Sequence, residues 1–262
     1  MALFGLFGKQ PLSDKKIDKI AKLAANPYAQ PDVRMKEMQK LLAAGSPEAL
    51  RGLLKRFAAN ASGAIADEDE KKWLEDALVE RGQAAVEPLR QYIKGQEQLT
   101  YALRAYRGIC GNDEAVRFFS EVLAAYGPDD HRSGEAKLQM VWQLGENLDE
   151  PRVLPALIPF LHDHSDDVRW AVLDLLERAA DRKLLTDALR QRVCAELGDL
   201  VSVDDVGPRI QQRAAEILAA REWQIPGDNE NLATLLDETY FLDKKRFVRR
   251  RARGKAQGKS AS

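Results

Sequence analysis

The sequence predicts an all-α fold, laid out as a row of about six helical hairpins rather than around one globular core. Three observations predict it. Apolar residues recur with a period near 3.6 through most of the chain, and no segment alternates polar and apolar with the period of a strand. Proline and glycine fall between the periodic runs, at Asn26-Pro27, Gly45-Ser46-Pro47, Gly127-Pro128, Glu150-Pro151 and Gly207-Pro208. There proline opens a helix or forbids its continuation. Leu50, Val86, Val116 and Leu154, equivalent positions of successive first helices, are 36, 30 and 38 residues apart, near the length of a two-helix repeat.

The predicted pairs are 13–25 with 31–44, 47–59 with 67–81, 83–94 with 97–110, 112–126 with 131–146, 150–162 with 165–180, and 184–200 with 207–223. First helices carry their apolar residues on one face, as in Leu50, Leu53, Leu54 and Phe57, or Val116, Phe119 and Leu123. Ser13, Ser46, Asn112 and Ser165 stand where N-caps belong. A lone hairpin of this kind cannot bury its apolar face, so its neighbours must cover it. Residues 1–12 read as an apolar extension, 13–225 as the array, and 226–262 as a linker with a basic tail. Both extensions are expected to be flexible.

Of the 262 residues, 45% are hydrophobic and 31% charged, ample for helices with one dry face. No run of about 18 apolar residues is present to span a membrane. The apolar start, Met1 to Gly8, is too short for a signal peptide and lacks a preceding positive residue. Cys110 and Cys194 lie in apolar helical runs and read as packed thiols in a reducing compartment. The expected location is cytoplasmic, with peripheral membrane attachment as the alternative. The net charge of -1 conceals an asymmetry: residues 244–262 hold nine positive charges and no acid, so the remainder carries -10. An acidic body with a basic tail reads as an interaction arm.

The helix openings Asp32-Val33-Arg34 and Asp167-Val168-Arg169, the close Leu144-Gly145 and the small pair Ala214-Ala215 resemble HEAT repeats over roughly residues 13 to 223. The resemblance implies a right-handed α-solenoid whose second helices line a concave side. Beside it stands a physical reading of the same residues. The Asp accepts N–H groups at a helix start, and the Arg reaches an acid of the adjacent hairpin.

Counting each second helix from its Val-like position at about 100° per residue, the third, seventh and tenth positions point away from the apolar stripe. These are Leu138, Trp142 and Gly145 in the fourth pair, and Trp170 and Asp174 in the fifth. The third pair gives Thr100, Arg104 and Arg107, and the second Lys72 and Asp76. Trp142 and Trp170 either form an exposed ridge with Leu138 or pack between hairpins. On the first reading, Trp142, Trp170, Leu138, Arg104, Arg107 and Lys72 have the composition of a protein-binding hot spot.

Other chemistry is thin. His162-Asp163-His164-Ser165-Asp166-Asp167 has metal-ligand character but poor chelating spacing, and reads as a polar turn. His131 lacks a nucleophile in motif context, and no phosphate-cradling glycine loop is present. Asp67-Glu68-Asp69-Glu70 reads as the solvated, dipole-favoured start of a helix. In the tail, Lys244, Lys245, Arg246, Arg249, Arg250, Arg251 and Arg253 interleave with Phe247 and Val248, which suits an anionic surface, phospholipid or nucleic acid.

The expected function is a non-enzymatic scaffold that holds a protein partner, with no metal, no cofactor and no small-molecule substrate. HEAT-like alkylpurine DNA glycosylases and HEAT-like bilin lyases supply the alternatives. The first needs a basic channel that this acidic body lacks, and the second rests on fold alone.

Overall fold

The structure, a computed structural model, describes residues 12–202, 206–227 and 239–251. It is mainly helical. The chain divides into two compact units, Met1–Leu123 with Glu135–Gln143, and Ala124–Gly134 with Leu144–Ser262.

The first unit runs through α1 (Asp14–Ala24), α2 (Pro31–Ala44), α3 (Pro47–Ala58), α4 (Ala64–Arg81), α5 (Gln83–Gly95), α6 (Thr100–Cys110), most of α7 (Asn112–Tyr126) and residues 135–143 of α8 (Gly134–Gly145). Prolines at the first positions of α2 and α3 fix the entries, and the Ser46 hydroxyl accepts the Ala49 amide at 3.2 Å. Gly45 ends α2 at φ +64°, the left-handed conformation a β-carbon disfavours. Packing is like with like. The first helices α1, α3 and α5 touch in succession, and so do the second helices α2, α4 and α6. A β-carbon on Gly52 of α3 would sit 3.2 Å from Ala21 and 3.3 Å from Ile17 of α1, so a small residue sets that spacing. Tyr106, Phe118 and Phe119 form an aromatic cluster, with 4.7 Å between the first two ring centres.

This unit also buries a charge network that the sequence reading placed in solvent. α4 begins at Ala64, three residues before the predicted start, so that of the acids only Asp67 falls in its first turn, and Glu70 is only 3% exposed. Its carboxylate takes two bonds from Arg34 of α2, at 2.8 and 2.9 Å, and one from Arg56 of α3 at 2.9 Å. Arg56 also meets Asp67 at 2.5 Å, and Lys71 meets Asp67 at 2.8 Å. The acid run is therefore split by helical geometry. Its 67 and 70 positions face the neighbouring helices, while Glu68 and Asp69 stay exposed. Arg34 does reach an acid of the next hairpin. Its counterpart Arg169 does not, since it donates to the Asp163 carbonyl and pairs with Asp166 at 3.2 Å within its own hairpin. Asp32 and Asp167 sit in first turns, and neither N-cap residue, Gln30 or Ser165, caps through its side chain.

The second unit contains α9 (Val153–Leu157), which tightens into a 3-10 helix over Ile158–His162, then α10 (Asp166–Asp181), α11 (Asp187–Leu200) and α12 (Pro208–Ala220). Pro155 and Pro159 each remove an amide donor, which explains why the predicted 150–162 helix is short and changes pitch. The 3-10 helix touches α11, and α10 touches α12. Gly145, read as outward-facing, is buried: a β-carbon there would lie 2.5 Å from Leu175 of α10. The rotation counted from Val-like positions does not survive to the last turn of α8.

A sheet was not expected, yet β1 (Tyr240–Leu242) and β2 (Val248–Arg250) form an antiparallel hairpin. Strands of three residues are too short to display a period, and apolar residues stand on both faces of β1. The region read as a flexible tail is thus structured over 239–251. Arg246, at φ +65°, anchors it by donating to the carbonyls of Ile225 at 2.9 Å and Pro226 at 3.0 Å. Val248 is fully buried, and β2 contacts α12. Ile225 lies so close to α11 that a β-carbon on Gly198 would stand 2.5 Å from it. No helix among the described residues is long and apolar enough to cross a membrane.

Candidate functional site

Two surfaces bear on function, one in each unit. On the first, Trp142 projects from α8 with 42% of its surface exposed, and Leu138, one turn earlier, is half-buried. The α8 backbone is placed by Gln139, whose side-chain oxygen accepts the amides of Leu99 and Thr100 at 2.7 Å and so caps α6. Arg107, expected to face a partner, instead donates to the Gln143 carbonyl at 2.6 Å and ties α6 to α8. Arg104 lies over the Tyr101 ring at 5.6 Å. Lys72 is paired with Asp76 at 2.5 Å and with Glu75 at 3.8 Å. Burial raises the Glu75 carboxyl, with Lys72 and Arg104 pulling against it. The three cations thus differ in role: Arg104 keeps an open charge, Lys72 is largely neutralised, and Arg107 serves packing.

Trp170 in the second unit is not an open ridge residue. It is half-buried, with Arg209 and Arg213 of α12 over its ring at 4.2 and 5.6 Å. Arg213 is held there by Asp174 at 3.0 Å and Glu177 at 2.5 Å. Cation–π contact and ion pairing together cover this indole. Acrylamide quenching will show the difference: Trp142→Phe should remove a larger share of the readily quenched tryptophan emission than Trp170→Phe does.

The His162–Asp167 segment disperses. His162 turns to Glu196 of α11 at 2.8 Å, while Asp163 is buried and accepts the Ser165 amide at 2.8 Å. His164 packs edge-on against His131, with ring centres 3.8 Å apart. That pairing, 33 residues apart in sequence, was not legible beforehand. Among the described residues no group of three or more metal-ligating side chains converges.

The hairpin is the second surface. Its register pairs Tyr240 with Arg250, Phe241 with Arg249 and Leu242 with Val248. Tyr240 and Val248 turn inward. Strand alternation puts Phe241, Phe247, Arg249 and Arg251 together on the outer face. There Arg251 stands over Phe241 at 5.4 Å and Arg249 over Phe247 at 5.0 Å. The Phe247 amide, followed by Arg249 and the Lys245 amide, holds the Asp243 carboxyl below its usual range. Of the cations predicted for an anionic surface, Arg246 is spent on backbone carbonyls and Arg249 on Glu222 at 2.7 Å and Asp243 at 3.3 Å. Lys244, Lys245, Arg250 and Arg251 are exposed and meet no carboxylate among the described residues. Arg253 lies outside the described residues.

No protein-family model matches the chain, and no curated protein matches it.

Proposed function

We propose that this chain is a non-enzymatic HEAT-like helical-repeat scaffold that holds a protein partner on the second helices of its first unit. The exposed indole of Trp142 carries the reading, because a large aromatic left in water beside Leu138 and the open charge of Arg104 has hot-spot composition. The like-with-like contacts of α1, α3, α5 and of α2, α4, α6 support a repeat array, as does the Arg34–Glu70 link between consecutive hairpins. A face built on packed helices is ordered before binding, so little conformational entropy is lost on association. The partner segment presents an apolar side chain to Trp142 and a carboxylate to Arg104. Two free thiols, Cys110 and Cys194, suit a cytoplasmic setting.

Selection of a displayed random-peptide library on the full chain tests this. Recovered peptides should combine an aromatic or aliphatic anchor with acids, and should lose about tenfold or more in affinity to Trp142→Ala, the range of a hot-spot residue. Peptides that bind Trp142→Ala and the parent chain equally would defeat the reading.

A further inference from the structure

We propose that the outer face of the β1–β2 hairpin is a binding site for single-stranded nucleic acid. The proposal is independent of the scaffold reading, since it uses another unit and another class of partner.

The face has the two components such binding needs. One is a stacking platform. Strand alternation puts Phe241 and Phe247 on the same side, and an arginine stands over each ring, Arg251 and Arg249 respectively. An arginine over a ring leaves the rest of that ring to a base, and every base has a π face, so the platform does not depend on sequence. The other component is phosphate-seeking charge without internal neutralisation. Lys244 and Lys245 project from the turn and Arg251 from the end of β2, all exposed and none facing a carboxylate among the described residues. They bracket the two rings along the hairpin. Strands of three residues span roughly 10 Å, enough for two or three nucleotides.

The platform is also rigid. Arg246 bonds the carbonyls of Ile225 and Pro226, Asp243 accepts the amides of Lys245 and Phe247, and Val248 is buried. A preorganised face loses less entropy on binding than a basic peptide that must order itself. A lipid surface fits less well. Insertion needs free apolar side chains, whereas Tyr240 and Val248 turn inward and both phenylalanines are engaged by arginines. A duplex offers this face no unstacked base.

The test is fluorescence anisotropy of a 5′-labelled deoxythymidine decamer titrated with the full chain, at 50 mM and 200 mM salt. Binding should weaken with salt at a slope of about -0.7 per phosphate contacted. Phe241→Ala should weaken it by about tenfold, the size of one lost stacked base. Phe241→Tyr should restore it, which a mere loss of fold would not allow. Lys244→Gln with Lys245→Gln should flatten the salt slope, and circular dichroism should show all variants helical. Three outcomes would overturn the proposal: no binding at 50 mM salt, binding that Phe241→Ala leaves unchanged, or capture by phosphatidylserine vesicles without binding of the decamer.

Discussion

Replacing Glu70 with alanine should destabilise the first unit by about 3–5 kcal/mol, the cost of stranding buried charge. Among the described residues the carboxylate is the sole acid bonded to the Arg34 guanidinium and one of two bonded to Arg56, and those arginines are 1% and 0% exposed. Thermal melts should shift down by on the order of 10 °C. A triple exchange, Arg34→Met with Arg56→Met and Glu70→Leu, should cost far less, because apolar side chains of similar volume need no partner. If Glu70→Ala melts with the parent chain, the network contributes nothing. The same network has a pH signature. Burial works to raise the Asp67 carboxyl, but Lys71, the Ala61 amide and Arg56 outweigh it and bring it to about 2 from 3.8. A folded-state value below the unfolded one means the stabilisation is complete above pH 4. It is lost as pH falls from there towards 2. Urea melts across that window should show it, and Asp67→Asn should abolish that part of the acid dependence.

Gly145→Val should cost about 1–3 kcal/mol, the usual range for overpacking a tight contact. A β-carbon would stand 2.5 and 2.7 Å from the two methyls of Leu175, and Leu175 is itself fully buried. Pairing Gly145→Val with Leu175→Ala should recover part of the loss, so the double variant should fall short of the sum of the singles. Strict additivity in chemical denaturation would mean that the two residues do not touch.

These two contacts mark where the sequence was readable and where it was not. Helix positions were legible, because the apolar stripe and the Pro and Gly punctuation are local signals, and each predicted helical segment overlaps a helix, although α4 begins three residues early and the 150–162 segment is short and changes pitch. What a surface residue does depends on its neighbour across the fold, which no periodicity reports. Trp142 and Trp170 both fall at outward-counted positions of their helices, yet one is exposed while α12 lays two arginines over the other. Lys72 and Arg107 look like open charges until Asp76 and the Gln143 carbonyl are placed beside them. The basic run at 244–251 was visible as charge, but its hairpin was not, since three-residue strands held by Arg246 on two distant carbonyls leave no repeating mark.

The Arg34–Arg56–Glu70 cluster carries a further consequence for how the chain finds its order. Look-alike hairpins risk docking on the wrong sibling during folding, the characteristic hazard of repeated modules. A misplaced neighbour could cover the apolar face almost as well. It could not supply the Glu70 carboxylate, and the Arg34 guanidinium would then be sealed away from water with only the Ala29 carbonyl to bind, while Arg56 would keep the acids of its own hairpin. Because Arg169 in the fifth hairpin turns back on its own turn instead, the junctions are not interchangeable. The buried Arg34–Glu70 pair thus distinguishes α4 from every other helix as the neighbour of α2.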